Sequence, residues 1–227
     1  MKKTLKTALI DTLPVLTGYL VLGFGFGIIL KTSGYGILLA FAMSFFIYAG
    51  AMQYVAIGLI TSGASLITVA LTTLMVNARH LFYGISMLEK YRDTGKRKPY
   101  LMFSLTDETY SLVCGDHPTI SLGERKNYYL FVSMLNQTYW VLGSVLGAVV
   151  GSFVKFNSEG IDFALTALFI TVFVEQWLST NQHTPAIIGV AVSVVCLILF
   201  GSESFLIPTM LVMLLLLCLY RGKQKHE

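Results

Sequence analysis

Charge is the scarcest commodity in this sequence. Lysine, arginine, aspartate and glutamate make up 12% of its 227 residues, while 55% are apolar. A soluble domain carries about twice that charge, so a water-exposed globule with a polar surface is excluded. Cysteine is nearly absent as well. Cys114, Cys196 and Cys218 are odd in number, far apart and set among apolar residues, which argues against a disulfide framework and against metal-ligand spacing. His-Glu-x-x-His, Gly-x-Ser-x-Gly and the P-loop are all missing. Neither a metal hydrolase, a serine hydrolase nor an ATP motor is therefore signalled. A ring of acids or a carbonyl-filter motif is missing too, which argues against an ion channel. The net charge of +4 sits mostly in loops and at the ends. It speaks to membrane orientation and not to nucleic acid.

What is present is apolar length. Mean hydropathy is +0.71, and the strongest segments cover 9–30, 36–60, 64–88, 128–154, 161–178, 184–200 and 204–220. Several approach or exceed the roughly 20 residues a helix needs to span hydrocarbon. The expected fold is an all-α polytopic membrane protein of about seven transmembrane helices, forming one transmembrane domain over 1–227. The opening Met-Lys-Lys-Thr-Leu-Lys resembles the start of a secretory signal. Asp11 and Pro14 interrupt the apolar run, so a retained first helix is expected.

The halves echo each other. Tyr19-Leu-Val-Leu-Gly-Phe-Gly-Phe-Gly27 matches Tyr139-Trp-Val-Leu-Gly-Ser-Val-Leu-Gly147 at five of nine positions. Phe45-Phe-Ile47 with Gln53-Tyr54 matches Leu168-Phe-Ile170 with Gln176-Trp177 at a similar offset, near 120. An internal repeat over 5–115 and 125–220 is expected, of inverted topology, with the substrate site between the halves. Lysine and arginine favour seven spans, an outside N-terminus and an inside C-terminus. On that count Lys31, Lys90, Arg92, Lys96, Arg97, Lys98, Arg125, Lys126, Arg221, Lys223 and Lys225 lie inside, with Lys2, Lys3, Lys6 and Lys155 outside.

Ionisable side chains inside such segments mark function before packing. Asn77, Arg79, His80 and Tyr83 fall within 64–88. On a helix Asn77 shares a face with His80, and Arg79 with Tyr83. Arg79 either grips a carboxylate with its fork or snorkels to the interface. His80 either handles a proton or bonds a neighbouring helix.

A polar stretch from Glu89 to Pro99 is followed by Tyr100–Cys114, too short to span as an ordinary helix and carrying Ser104-Leu-Thr-Asp-Glu-Thr109. A re-entrant or broken helix is expected there. In it Thr106, Asp107 and Glu108 could neutralise Arg79, bind an ammonium or carry a proton. The plainer account is a helix start with Ser104 as N-cap and Asp107 in the capping-box position. Tyr48-Ala-Gly-Ala-Met-Gln53-Tyr54 would suit an unwound turn that shows backbone to a ligand. Its counterpart around Glu175, Gln176 and Trp177 fits interface anchoring better. Asn136 and Gln137 are helix glue by default, and the Gly23/Gly27 and Gly143/Gly147/Gly151 spacings suit close helix packing.

At these same residues the chain resembles the large subunit of the branched-chain amino acid exporters, the azaleucine-resistance or AzlC-like permeases. The resemblance is carried by Tyr48-Ala-Gly-Ala-Met-Gln-Tyr54, Val76-Asn-Ala-Arg-His-Leu-Phe-Tyr-Gly84, Leu105-Thr-Asp-Glu-Thr-Tyr110 and Gly160-Ile-Asp-Phe-Ala-Leu-Thr-Ala-Leu-Phe169. The last of these adds Asp162 as a secondary candidate. The resemblance implies export of leucine, isoleucine, valine and analogues, sometimes methionine, across the bacterial cytoplasmic membrane. It implies proton-motive force, a small separately encoded AzlD-like membrane subunit, and no cofactor, metal or enzyme activity. In the mechanism expected from both lines, an amino acid carboxylate meets Arg79 or backbone N–H groups and its ammonium meets Asp107 or Glu108. Tyr48, Tyr54 and Tyr83 wall the side chain. The rival expectations are a passive amino acid facilitator, an intramembrane enzyme with His80 and Asp107 as a base pair, and a purely structural membrane subunit.

Overall fold

The computed structural model describes residues 2–115, 117–153, 170, 173–174, 177–178, 182–205 (202–204 as backbone alone), 208–209, 211–213 and 215–216. The chain divides into two compact units, Met1–Asp162 and Phe163–Glu227. All described elements are helical, as expected. Asp162 and Glu175, most of the segment 161–178 and about half of 204–220 lie outside the described residues.

The first unit opens with α1 (Lys2–Asp11) and α2 (Leu13–Thr32). The joint is local: Thr12 Oγ1 donates to the Ala8 carbonyl at 2.8 Å, and Pro14 falls in the first turn of α2. A missing N–H has no helical partner to lose there. Helix α9 (Arg125–Phe153) lies along α2. Thr12 meets Tyr139 at 3.2 Å, Gly23 abuts Trp140–Ser144, Gly27 abuts Ser144–Ala148, and Gly151 abuts Ile28 and Lys31. Residue numbers climb together on both helices, so the two run parallel. The small residues let the backbones touch, which is how helices associate in lipid without a hydrophobic drive between them. Helix α9, 29 residues long, keeps Ser133, Asn136, Gln137 and Ser144 buried in protein.

The parallel course corrects the expected inverted relation for this pair. Inversion would set corresponding helices in opposite directions, whereas equivalent positions of α2 and α9 face each other along one direction.

Helix α3 (Ile37–Ala42) continues through a π-helical turn (Met43–Ile47), and α4 (Gly50–Thr61) follows. Between them Tyr48 takes the left-handed conformation, φ 47° and ψ 44°, and Ala49 is non-helical at φ −129°, ψ 83°. Segment 36–60 therefore does not cross as one helix. It enters beside the C-terminal end of α2, turns at Tyr48–Ala49 near Tyr19, and returns, with Tyr54 bonding the Leu22 carbonyl. Its two ends share one side, which corrects the expected span. Helices α5 (Leu66–Val76) and α6 (Ala78–Met87) then run to the opposite end, bent by 48° at Asn77.

A 3-10 stretch (Arg92–Arg97) leads into α7 (Lys98–Phe103) and α8 (Asp107–Val113). Lys98 Nζ reaches the Leu88 carbonyl at 3.4 Å and Lys90 Nζ reaches the Cys114 carbonyl at 2.7 Å. Both ends of this segment thus return to the side where α6 ends, and it forms a second re-entrant hairpin with its tip at Ser104–Thr106. Ala8, Met87, Tyr91, Leu101, Val113, Ile120 and Tyr128 form one apolar core at this end.

Thr4 Oγ1 donates to Glu124 at 3.1 Å and Tyr128 donates to Asp11 at 2.7 Å. The N-terminus therefore sits beside Lys90–Lys98 and Arg125–Lys126. This corrects the expected placement of Lys2, Lys3 and Lys6 on the opposite side from those residues. By length and composition α2 and Thr184–Gly201 can cross a membrane, and the bent α5–α6 pair makes a third candidate. In the second unit, α10 (Thr184–Ser204) begins beside a stacked pair, Trp177 and His183, with ring centroids 4.1 Å apart.

Candidate functional site

The two hairpins enter from opposite sides, and their tips meet. Tyr48 and Phe103 have ring centroids 6.4 Å apart. Around this point gather Tyr19 from α2, Thr106, Asp107 and Glu108 from the second hairpin, and Arg79 just beyond the bend of α5–α6. Eight residues separate Arg79 from Met87, so the site lies about 12 Å below the end of α6 at 1.5 Å per residue.

Arg79 Nη1 pairs with Asp107 Oδ2 at 2.5 Å. The guanidinium turns inward to the hairpin and not toward the end of α6. The pair is half-covered, with side-chain exposures of 41% and 31%, while Arg79 Nε and Asp107 Oδ1 are buried without partners. Glu108 is treated differently. Tyr19 donates its hydroxyl to Glu108 Oε2 at 2.5 Å and contacts Thr106 Oγ1 at 2.7 Å. Among the described residues no arginine, lysine or histidine forms an ion pair with Glu108. Two adjacent acids thus face one cation, and Asp107 takes it.

Thr106 caps α8, its Oγ1 accepting from Thr109 N at 3.3 Å. Ser104, the expected cap, instead bonds back to the Tyr100 carbonyl at 2.8 Å. The backbone at Leu105 lies between two helix ends, so the cap moves to the residue that directly precedes α8. Tyr48 is 3% exposed. Its hydroxyl lies beside those of Tyr19 and Thr106.

The remaining expected residues divide into those that face the site and those that hold it. Asn77 forms the bend rather than a shared helix face with His80, and its carbonyl lies 3.3 Å from His80 Nδ1. Tyr83 stacks on Tyr110, centroids 4.8 Å apart, and both flank the Arg79–Asp107 pair. Gln53 is fully buried, donating to Ser44 at 3.1 Å and accepting from Trp140 at 2.9 Å. Tyr54 is spent on the Leu22 carbonyl. Gln53 and Tyr54 therefore anchor α4. Asn136 donates to Thr109 at 3.0 Å. Gln137 donates to the Phe45 carbonyl at 3.0 Å and accepts from Tyr100 at 2.8 Å. Tyr19 was missed by the sequence reading. It lies in an apolar run where a tyrosine looks like a packing residue, and only its position in the repeat match with Tyr139 set it apart.

The sequence model of the "AzlC protein" family matches residues 14–154, which include both hairpins and every described site residue. A Bacillus subtilis protein named "Branched-chain amino acid transport protein AzlC" is 44% identical over 92% of this chain and 82% of its own. A Helicobacter pylori "uncharacterized membrane protein" is 43% identical over 96% of both chains. The Escherichia coli "inner membrane protein YgaZ" is 28% identical over 79% of this chain and 76% of its own. No solved structure matches. The chain belongs to the AzlC family of membrane proteins.

Proposed function

We propose that this chain is the large subunit of a secondary exporter for branched-chain amino acids, with leucine, isoleucine, valine and methionine as cargo. It works in a bacterial cytoplasmic membrane with a small second membrane subunit and draws on the proton-motive force. The Bacillus relative's name supports the cargo. The lysines and arginines gathered at the N-terminal end support placing that end in the cytoplasm.

The observation that carries the reading is the uncompensated carboxylate of Glu108, at the meeting point of the two hairpin tips. A zwitterion supplies what this place lacks. Its ammonium neutralises Glu108, where the low dielectric makes a paired charge far cheaper than a bare one. Its carboxylate takes N–H donors of Arg79 that Asp107 leaves free, since a guanidinium has five. The aliphatic side chain lies against Tyr83, Tyr48 and Phe103. A proton arriving at Glu108 competes with the ammonium, and so links proton entry to amino acid release. The bend at Asn77 and the two tips are where the backbone yields between inward- and outward-open states.

The test is efflux of labelled leucine from loaded cells expressing this chain with its small subunit. Glu108→Gln removes a charge pair worth about 1.4 kcal/mol or more, so efflux falls at least tenfold at unchanged membrane abundance. Full export by Glu108→Gln and by Arg79→Ala would sink the assignment. An uncoupler that leaves efflux unaltered would make the protein a passive facilitator.

A further inference from the structure

We propose that Gln137 couples the two re-entrant hairpins mechanically, so that neither tip withdraws without releasing the other. The amide is 7% exposed and divides its two ends between the hairpins. Nε2 donates to the Phe45 carbonyl on the first at 3.0 Å, and Oε1 accepts from the Tyr100 hydroxyl on the second at 2.8 Å. A single side chain of α9 thus bonds both hairpins.

Local backbone geometry explains why Phe45 offers a carbonyl. It lies in the π-helical turn, and Ala49, four residues on, is non-helical. The ordinary i+4 donor is therefore turned away. Tyr100 stands in the first turn of α7, and its phenol reaches across to α9. Each hairpin also has an anchor of its own on α9: Gln53–Trp140 at 2.9 Å for the first and Asn136–Thr109 at 3.0 Å for the second. Helix α9 is thus a fixed post with private tethers, and Gln137 is the shared one.

An amide that donates and accepts at once is polarised by each partner, so the two bonds reinforce one another. Moving one hairpin leaves half of a buried amide unsatisfied, which weakens the hold on the other. The hairpins open to opposite sides. Their coupling would keep both from standing open together, which is what a transporter needs to avoid leaking. That consequence rests on the transport reading; the coupling itself does not.

The test is hydrogen exchange on the purified chain in lipid nanodiscs, followed by mass spectrometry. Tyr100→Phe deletes one oxygen on the second hairpin and leaves every residue of the first unchanged. The expected result is exchange about fivefold faster over 43–49, on the hairpin that was not altered, as well as over 98–106. Gln137→Leu accelerates both. Gln137→Glu keeps the acceptor for Tyr100, loses the donor to Phe45, and accelerates 43–49 at least as much. Thr138→Val, at an exposed neighbouring position, changes neither. Tyr100→Phe acceleration confined to 98–106 overturns the coupling, as does Gln137→Leu acceleration of one hairpin alone. Coupled exchange in a chain that moves no leucine with its partner present would keep the coupling and count against the exporter reading.

Discussion

Gly27 and Gly147 meet across the α2–α9 seam with their backbones in contact. A β-carbon on Gly27 would overlap the Ser144 carbonyl oxygen, and one on Gly147 would overlap that of Phe24. The two positions are equivalent in the internal match, so the seam is built from the same residue of each half. Such a contact has no slack, because the atoms in the way are backbone and not the end of a flexible side chain. Gly147→Ala is expected to destabilise the protein by about 1–3 kcal/mol through overpacking. Gly18→Ala, with open space around it, is expected to be near neutral. Thermal unfolding of the two variants in detergent checks the difference.

The Arg79–Asp107 pair separates stability from function. Removing one partner strands the other charge at membrane depth; because the pair is half-covered, Arg79→Ala is expected to cost about 2 kcal/mol, less than a fully buried pair would. The double change Arg79→Met with Asp107→Leu strands nothing and is expected to regain most of the melting temperature. Leucine efflux should stay lost in both. Export by the neutral double variant would show that the guanidinium serves the fold alone.

At the basic end, Glu124 ties α1 to α9. Hydrogen bonds from Thr4 and then Ser121 hold its carboxyl below the usual carboxylate range. The sign follows from that depression. The contribution is present above the ordinary carboxylate pKa and is lost as pH falls through the lower, folded value. Protease susceptibility near residues 2–11 should therefore rise on acidification. Thr4→Val should make it high at neutral pH and remove most of the acid dependence. An acid response that persists unchanged in Thr4→Val would point elsewhere, with the His117–Asp11 pair at 3.1 Å the next to examine.

Much of the site was legible before any coordinates. Arg79, Asp107 and Glu108 stand out because charge is rare at apolar depth, and the short segment after Pro99 read as re-entrant because its length falls short of a bilayer. Tyr48–Gln53 read as an unwound turn from its small residues, and Tyr48 does take a left-handed backbone there. The sequence did not reveal that the polar ends of Gln53 and Tyr54 hold α4 in place. A buried amide looks alike in sequence whether its partner is a ligand or a tryptophan. It also gave 36–60 a full crossing, since twenty-five apolar residues suit a span and a returning hairpin equally.

By itself, then, the sequence determined residence in a membrane, the family, and the glycine spacing that lets two helices approach closely. Each of these follows from composition or spacing along one chain, which hydrophobic transfer and helix periodicity convert directly into structure. Only the tertiary structure decided which apolar segments turn back on themselves, on which end the N-terminal lysines lie, and which of two adjacent acids Arg79 takes. Hydropathy has magnitude but no direction, and neighbouring residues on a helix point about 100° apart. The answer in each case depended on what was packed across the gap.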